Sequence, residues 1–191
     1  MARLTIGAAL LAAAVLGGHP AGIRTAQALD IGPALGRVAP PLAVRDADGR
    51  TARLGEVTGP KGLVLVFTRS AKWCPYCQNQ LIGLKAVEPA LAERGFRIAA
   101  LSYDPPSVLA GFAKARAISY SLLSDEGSRT IDAFGLRDPA YGPGHYAHGV
   151  SRPAIFVLGR DGTILAKLAE DGYRTRPTNE AILAVVDRLG N

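Results

Sequence analysis

The feature that most limits what this chain can become is a junction. "GLVLVFT", residues 62 to 68, is a continuous apolar run rich in Val, and it leads within a few residues into "KWCPYCQNQ", residues 72 to 80. An unbroken apolar run of this length reads as a strand buried on both faces, which places it inside a sheet covered by helices. From Pro75 the period changes: Leu81, Leu84, Ala86, Val87, Ala90 and Leu91 recur at helical spacing as far as Arg94-Gly95. Pro89 lacks the N–H that an interior turn requires, so it is expected to kink or split that helix.

The rest of the chain alternates. "LAVRDADGRTARL" predicts two short strands around an Asp-Gly turn, and "FRIAALSY" predicts a second buried strand. A helix is expected after Asp104-Pro105-Pro106 to about Arg116, then an extended "YSLLSD" and a helix over about 128–134. "AIFVLGRDGTILAKL" reads as a hairpin about Asp161-Gly162, and a last helix is expected over about 178–189. This order predicts an α/β domain with a central mixed sheet, largely parallel, flanked by helices and preceded by an N-terminal hairpin. "LRDPAYGPGHYAHGVSR", residues 136 to 152, is too rich in Gly and Pro for a regular element and is expected to be a long loop.

The first 28 residues look like a targeting segment rather than part of the fold. Arg3, an apolar run from Leu4 to Leu16, and the small residues Ala26-Gln27-Ala28 before Leu29 form the three parts of a secretory signal. The run is shorter than the roughly 20 residues a spanning helix needs, so a cleaved signal is expected over an uncleaved membrane anchor. The predicted division is a signal peptide at 1–28, a linker at 29–40 and one domain at 41–191, exported to the periplasm. Loss of Arg3 and Arg24 lowers the formal charge from +6 to +4. With no long basic block, that balance does not point to nucleic acid, and no span is expected after cleavage.

Cys74 and Cys77 are the only cysteines. A loop this short restrains the unfolded chain little, and no second C-x-x-C completes a four-ligand zinc site, so a reactive dithiol is the favoured reading. Cys74 is expected at the N-terminus of a helix with Pro75 in its first position. There, unpaired N–H groups and the helix dipole favour a thiolate. Such a thiolate can attack a disulfide, and Cys77, one turn on, can attack in turn. Trp73 is expected to give an apolar floor beside the sulfur, and Lys72 is a nearby cation. No cofactor is called for.

The segments "VLVFTRSAKWCPYC", "ALSYDPPSVLAGFAKARAISYSLLSD", "AFGL" and "SRPAIFVLGRDGTIL" resemble the thioredoxin-fold family of alkyl hydroperoxide reductase and thiol-specific antioxidant proteins. The likeness runs from about Pro40 to the C-terminus and is closer to the W-C-x-x-C, thioredoxin-like members than to typical peroxiredoxins. It implies a thioredoxin-like fold, Cys74 as nucleophile, Cys77 as resolving cysteine, and Pro153 as a cis-proline opposite the dithiol that guides substrate. It also implies an arginine near the thiolate, for which Arg152 is the neighbour of Pro153. The peroxidatic pattern P-x-x-x-T-x-x-C is altered: Ala71 stands at the threonine position and Phe67 at the proline position, leaving Thr68 or Ser70 to offer a hydroxyl. The aspartate that thioredoxins place six residues before the first cysteine is replaced by Thr68.

Three functions follow as expectations. The first is disulfide exchange with protein partners. The second is reduction of hydrogen or organic peroxide through a Cys74 sulfenic acid. Both need an external thiol reductant. The third is copper carriage by Cys74, Cys77, His145 and His148, whose thiolate and imidazole groups suit that metal. Tyr141 and Tyr146 are expected to line a partner groove, while Asp125, Glu126, Asp138 and Asp171 are read as turn and cap residues without chemistry.

Overall fold

The structure, a computed structural model, describes residues 30–190; the expected signal segment lies outside the described residues. A short hairpin, β1 (Val44–Arg45) and β2 (Thr51–Ala52), opens the fold and is followed by a one-turn helix, α1 (Leu54–Val57). Four residues are too few to show a period, which is why the sequence pattern does not reveal α1. The central strand β3 (Gly62–Phe67) leads into α2 (Pro75–Leu84) and α3 (Glu88–Glu93). The predicted long helix is split, with Pro89 in the first turn of α3, where no helical N–H is needed.

The chain continues through β4 (Phe96–Ser102), α4 (Pro106–Arg116), β5 (Ser121–Ser124) and α5 (Arg129–Ala133). It ends with the hairpin β6 (Ala154–Gly159) and β7 (Ile164–Leu168), and the helix α6 (Asn179–Gly190). The strands form one seven-stranded sheet in the order β2-β1-β5-β4-β3-β6-β7. Only β3–β4 and β4–β5 are parallel pairs; the two hairpins join antiparallel, so the sheet is mixed rather than largely parallel. Gly49 and Gly162 hold the left-handed positions of the two Asp-Gly turns, at φ +83° and +84°.

Side chains alternate along β3 and so divide the core. Leu63, Leu65 and Phe67 enter one apolar cluster with Val57, Ile131 and Phe134, while Val64 and Val66 enter the other with Leu81, Leu91, Leu109, Ile182 and Val186. The rings of Phe67, Phe134 and Phe156 meet at centroid distances of 4.7 to 5.7 Å. Phe67 therefore belongs to the core, although it stands where the peroxidatic pattern has its proline.

From Asp30 on, the stretch expected to be a linker is held against the last hairpin. Gly36 donates to Ile164 O at 2.8 Å, Ile164 donates to Arg37 O at 2.8 Å, and Ala39 donates to Gly162 O at 2.9 Å. These bonds satisfy backbone groups on the edge of β7 that would otherwise face a new chain.

Gly62 lies between Phe96 of β4 and Gly159 of β6, and an added Cβ would stand 2.1 Å from Leu158 O. Backbone in a central ladder cannot yield as a side chain can. Gly62→Ala is therefore expected to destabilise the fold by about 1–3 kcal/mol, the range for overpacking a dense core. A urea denaturation midpoint unchanged from the parent would contradict this.

Candidate active site

Between β3 and α2 the chain makes a buried, polar turn over 68–73, and one carboxylate shapes it. Asp104, at the end of β4, accepts from Ser70 Oγ at 2.8 Å, Ala71 N at 2.6 Å and Ser102 Oγ at 2.9 Å. Ser70 Oγ in turn accepts the N–H groups of Lys72 and Trp73. A buried carboxylate is tolerable only when its oxygens are occupied in this way. The Ser70 hydroxyl is thus committed to Asp104 and is not offered to a peroxide pocket, and Thr68 Oγ1 is buried with no partner among the described residues.

The turn delivers Cys74 to the N-cap of α2, where its Sγ accepts the Cys77 N–H at 3.3 Å. Cys74 and Cys77 are joined as a disulfide with their Cα atoms 5.2 Å apart, so one helical turn brings the pair within bonding reach. Both are covered, with exposures of 2% and 0%, yet neither belongs to an apolar cluster. Pro75 and Tyr76 beside them are exposed. The pair therefore lies just beneath the surface, next to polar groups.

Two guanidinium groups converge here, and neither is the arginine that the resemblance implies. Arg176 Nη2 donates to Cys77 Sγ at 3.4 Å, and its Nε donates to Gln80 Oε1 at 3.1 Å. Burial, then the charge of Arg69, pushes the Arg176 group down to about 10, so it stays cationic at neutral pH. Arg69 is 2% exposed and pairs with Asp138 at 2.8 Å. Its guanidinium carbon lies 5.5 Å from the centre of the Trp73 ring, 5.0 Å from Tyr141 and 4.6 Å from Tyr173, within cation–π range of all three.

Trp73 is half-buried beside the disulfide. Its Nε1 donates to Tyr103 Oη at 3.0 Å, and its ring meets Tyr146 edge to face at 5.4 Å. Burial raises the Tyr103 phenol above its ordinary range. The long loop at 136–152 therefore folds back over the turn between β3 and α2, with Asp138, Tyr141 and Tyr146 as its contacts. Asp138 is an ion-pair partner of the site and not merely a turn residue. Asp125 does cap, accepting the N–H groups of Thr130 and Ile131 at the start of α5.

Four other expectations are corrected. No peptide bond among the described residues is cis, so Pro153 is trans. Arg152 N is held by Leu136 O at 2.7 Å and Ala154 is already paired with Phe67, so the chain passes Pro153 extended. Pro153 does line a cavity of about 260 Å³ with Arg69, Arg152, Asp138 and Tyr173. Arg152 does not reach the thiols: its Nη2 donates to Gly135 O at 2.9 Å, just after α5, and it makes no hydrogen bond to either sulfur among the described residues. The copper ligand set does not assemble: His145 Nδ1 accepts from Ala147 N, and His148 sits against Tyr141 O and Arg137. Among the described residues no three of His, Cys, Asp and Glu converge as a metal site. Lys72 is exposed, and the cation at the sulfur is Arg176 instead.

A central strand that runs into C-x-x-C at a helix N-terminus, in a mixed sheet covered on both faces, defines a thioredoxin-like dithiol protein. The model of the AhpC/TSA family matches residues 35–167, and the chain belongs to that family; it is an oxidoreductase of the thiol class. It is 27% identical over 148 residues to the peroxiredoxin Bcp of Escherichia coli, covering 78% of this chain and 92% of that one. Among solved structures it resembles peroxidoxin BcpB of Mycobacterium tuberculosis, with a TM-score of 0.71 and 22% identity over 81% of this chain and 97% of that one. It also resembles reduced Prx3 of Vibrio vulnificus in complex with hydrogen peroxide, with a TM-score of 0.71 and 21% identity over 81% and 99% of the two chains. Among the described residues no helix is long and apolar enough to cross a membrane.

The sequence pattern assigns no site role to Arg69, Asp104 or Arg176, and it presents Asp138 as a turn residue. Arg69 had a readable signal: a charge directly after a doubly buried strand must find a partner or force the strand end open. Arg176 had none, because it is 99 residues from the sulfur it meets. The Arg69–Asp138 pair makes an asymmetric prediction. Asp138→Ala strands a guanidinium that is 2% exposed and is expected to cost about 3 kcal/mol, near the lower end of the range for breaking a buried pair. Arg69→Met leaves a carboxylate that water can reach and should cost less. Denaturant midpoints for the two variants in the opposite order would refute this account.

Proposed function

We propose that the chain is a peroxidase that works through the Cys74–Cys77 dithiol. The observation that carries the proposal is the position of Cys74 Sγ as the N-cap acceptor of α2, with Cys77 one turn on and within bonding reach. In the reduced protein the backbone N–H groups and dipole of α2 favour the Cys74 thiolate. That thiolate attacks one peroxide oxygen: a sulfur–oxygen bond forms, the oxygen–oxygen bond breaks, and the leaving alkoxide or hydroxide takes a proton. Cys77 then attacks the Cys74 sulfenic acid, which loses water, and the disulfide forms. An external thiol reductant returns two electrons.

Membership of the AhpC/TSA family supports this reading, as does the likeness to the E. coli peroxiredoxin over most of both chains. The covering of both sulfurs supports it as well, since a small peroxide needs less of that cover displaced than a folded protein's disulfide does. Disulfide exchange with protein partners stays as a second reading, because Ala71 and Phe67 replace the threonine and proline of the peroxidatic pattern.

One equivalent of hydrogen peroxide is expected to consume both thiols of the reduced protein far faster than it oxidises free cysteine. Cys74→Ser should fall to the background rate, and Cys77→Ser should stop at a sulfenic acid that dimedone traps. A parent rate equal to that of free cysteine, with mixed disulfides to other proteins trapped on Cys74 by Cys77→Ser, would replace this reading with the second one.

We also propose export to the periplasm, on the three-part pattern of residues 1–28. The mature chain is expected to begin at Leu29 by intact mass. A membrane-bound product that keeps residue 1 would mean an uncleaved anchor instead.

A further inference from the structure

Arg176 is held at every nitrogen. Nη2 donates to Cys77 Sγ at 3.4 Å, Nε to Gln80 Oε1 at 3.1 Å, and Nη1 to the carbonyls of Tyr173 and Thr175. Two residues past Pro177, Asn179 Nδ2 donates to Gly83 O at 2.9 Å. Cys77, Gln80 and Gly83 stand at three-residue steps on α2, each rising about 4.5 Å along one face. The segment 176–179 thus lies along that face, and its guanidinium is fixed over the sulfur.

The charge it carries there is unbalanced. Arg69 has Asp138, but among the described residues no carboxylate pairs with Arg176. A half-buried cation without a counter-ion is unfavourable, and the disulfide beside it is neutral. Reduction creates the missing partner, because a Cys77 thiolate would form at hydrogen-bond distance from Nη2. The N-terminus of α2 does less for this sulfur: the Cys77 N–H is directed at Cys74 Sγ and O, and Arg176 is the one described side chain that donates to Cys77 Sγ.

We propose that Arg176 is a catalytic residue that acts on Cys77, receiving it as the leaving thiolate when the disulfide is reduced and holding it as the resolving thiolate afterwards. The proposal rests on the dithiol cycle given under Proposed function. In the reductive step an external thiolate bonds to Cys74 Sγ and the Cys74–Cys77 bond breaks. Its electron pair goes to Cys77 Sγ, which becomes the counter-ion of Arg176. A second thiolate of the reductant attacks its own sulfur in the mixed disulfide and releases the Cys74 thiolate; the reductant ends as a disulfide, oxidised by two electrons. In the oxidative step the same Cys77 thiolate attacks the Cys74 sulfenic acid, and hydroxide leaves as water after gaining a proton. A cation on Cys77 makes Cys77 the better leaving group, and so directs the reductant to Cys74.

The test reads Cys77 directly. In Cys74→Ser protein, the thiolate of Cys77 is titrated by its ultraviolet absorbance and by its rate of alkylation. Adding Arg176→Met should raise the midpoint by about 1–3 units, the effect of losing a close opposite charge; Arg176→Lys should restore part of the shift. Arg176→Gln keeps polar contacts while removing the charge, and serves if the Met variant does not fold. Arg174→Met, in the same loop but stacked on Tyr173 and making no hydrogen bond to Cys77 Sγ among the described residues, should move the midpoint by much less than Arg176→Met. With both cysteines present, Arg176→Met should lower the disulfide's exchange constant against glutathione at least tenfold, or about 30 mV. An unchanged midpoint in the folded Met or Gln variant overturns the proposal, as does an equal rise in Arg174→Met. Neither measurement uses peroxide. A parent inert to peroxide but with a midpoint that follows Arg176 would sink the peroxidase reading and leave this one standing.

Discussion

The site hangs on the carboxylate of Asp104. β3 reaches Phe67 fully buried between β4 and β6, and within seven residues the chain must leave the sheet, turn and start a helix with Cys74 as its cap. A turn under that constraint has backbone groups that neither ladder nor helix can satisfy. Asp104 takes the Ala71 N–H and the Ser70 and Ser102 hydroxyls, while Ser70 passes the bonding on to Lys72 and Trp73. One buried anion thus sets the path of the turn, and the path sets where the cysteine sulfur meets the helix.

Around that turn the protein concentrates positive charge and then treats its two arginines differently. Arg69 is neutralised by Asp138 and enclosed by Trp73, Tyr141 and Tyr173, so it ties the 136–152 loop to the turn. Arg176 keeps its charge with no carboxylate partner among the described residues and turns it toward sulfur. Burying a cation is costly in either case, but the repayment differs. The first pair is permanent and structural, whereas the second waits for an anion that exists only in the reduced protein. The cations at the dithiol thus come from elements other than the one that carries Pro153: Arg69 follows β3, and Arg176 precedes α6.

Much of the scaffold was legible because its causes are local. The apolar run at 62–68, the Pro89 break and the two Asp-Gly turns each act within a few residues, and each appears where its pattern placed it. The misreadings have a common character. Adjacency to Pro153 points Arg152 at the thiolate, but its guanidinium donates to Gly135 O instead. Asp138 looked like a loop residue until the loop folded over Arg69. His145 and His148 share a short motif, yet His145 Nδ1 accepts from Ala147 N and the ring nitrogens of His148 lie against Tyr141 O and Arg137.

By itself the sequence determined that a doubly buried strand meets a helix at a pair of thiols one turn apart, since side-chain period, proline's missing donor and three-residue spacing depend only on near neighbours. The tertiary structure alone decided which charges face those thiols. Arg69 and Asp138 are 69 residues apart, and Arg176 is 99 residues from Cys77. Only the return of the last hairpin and the docking of residues 176–179 along α2 bring such groups within hydrogen-bond range. No local pattern encodes an encounter between segments so distant, because it depends on how the whole sheet closes around β3.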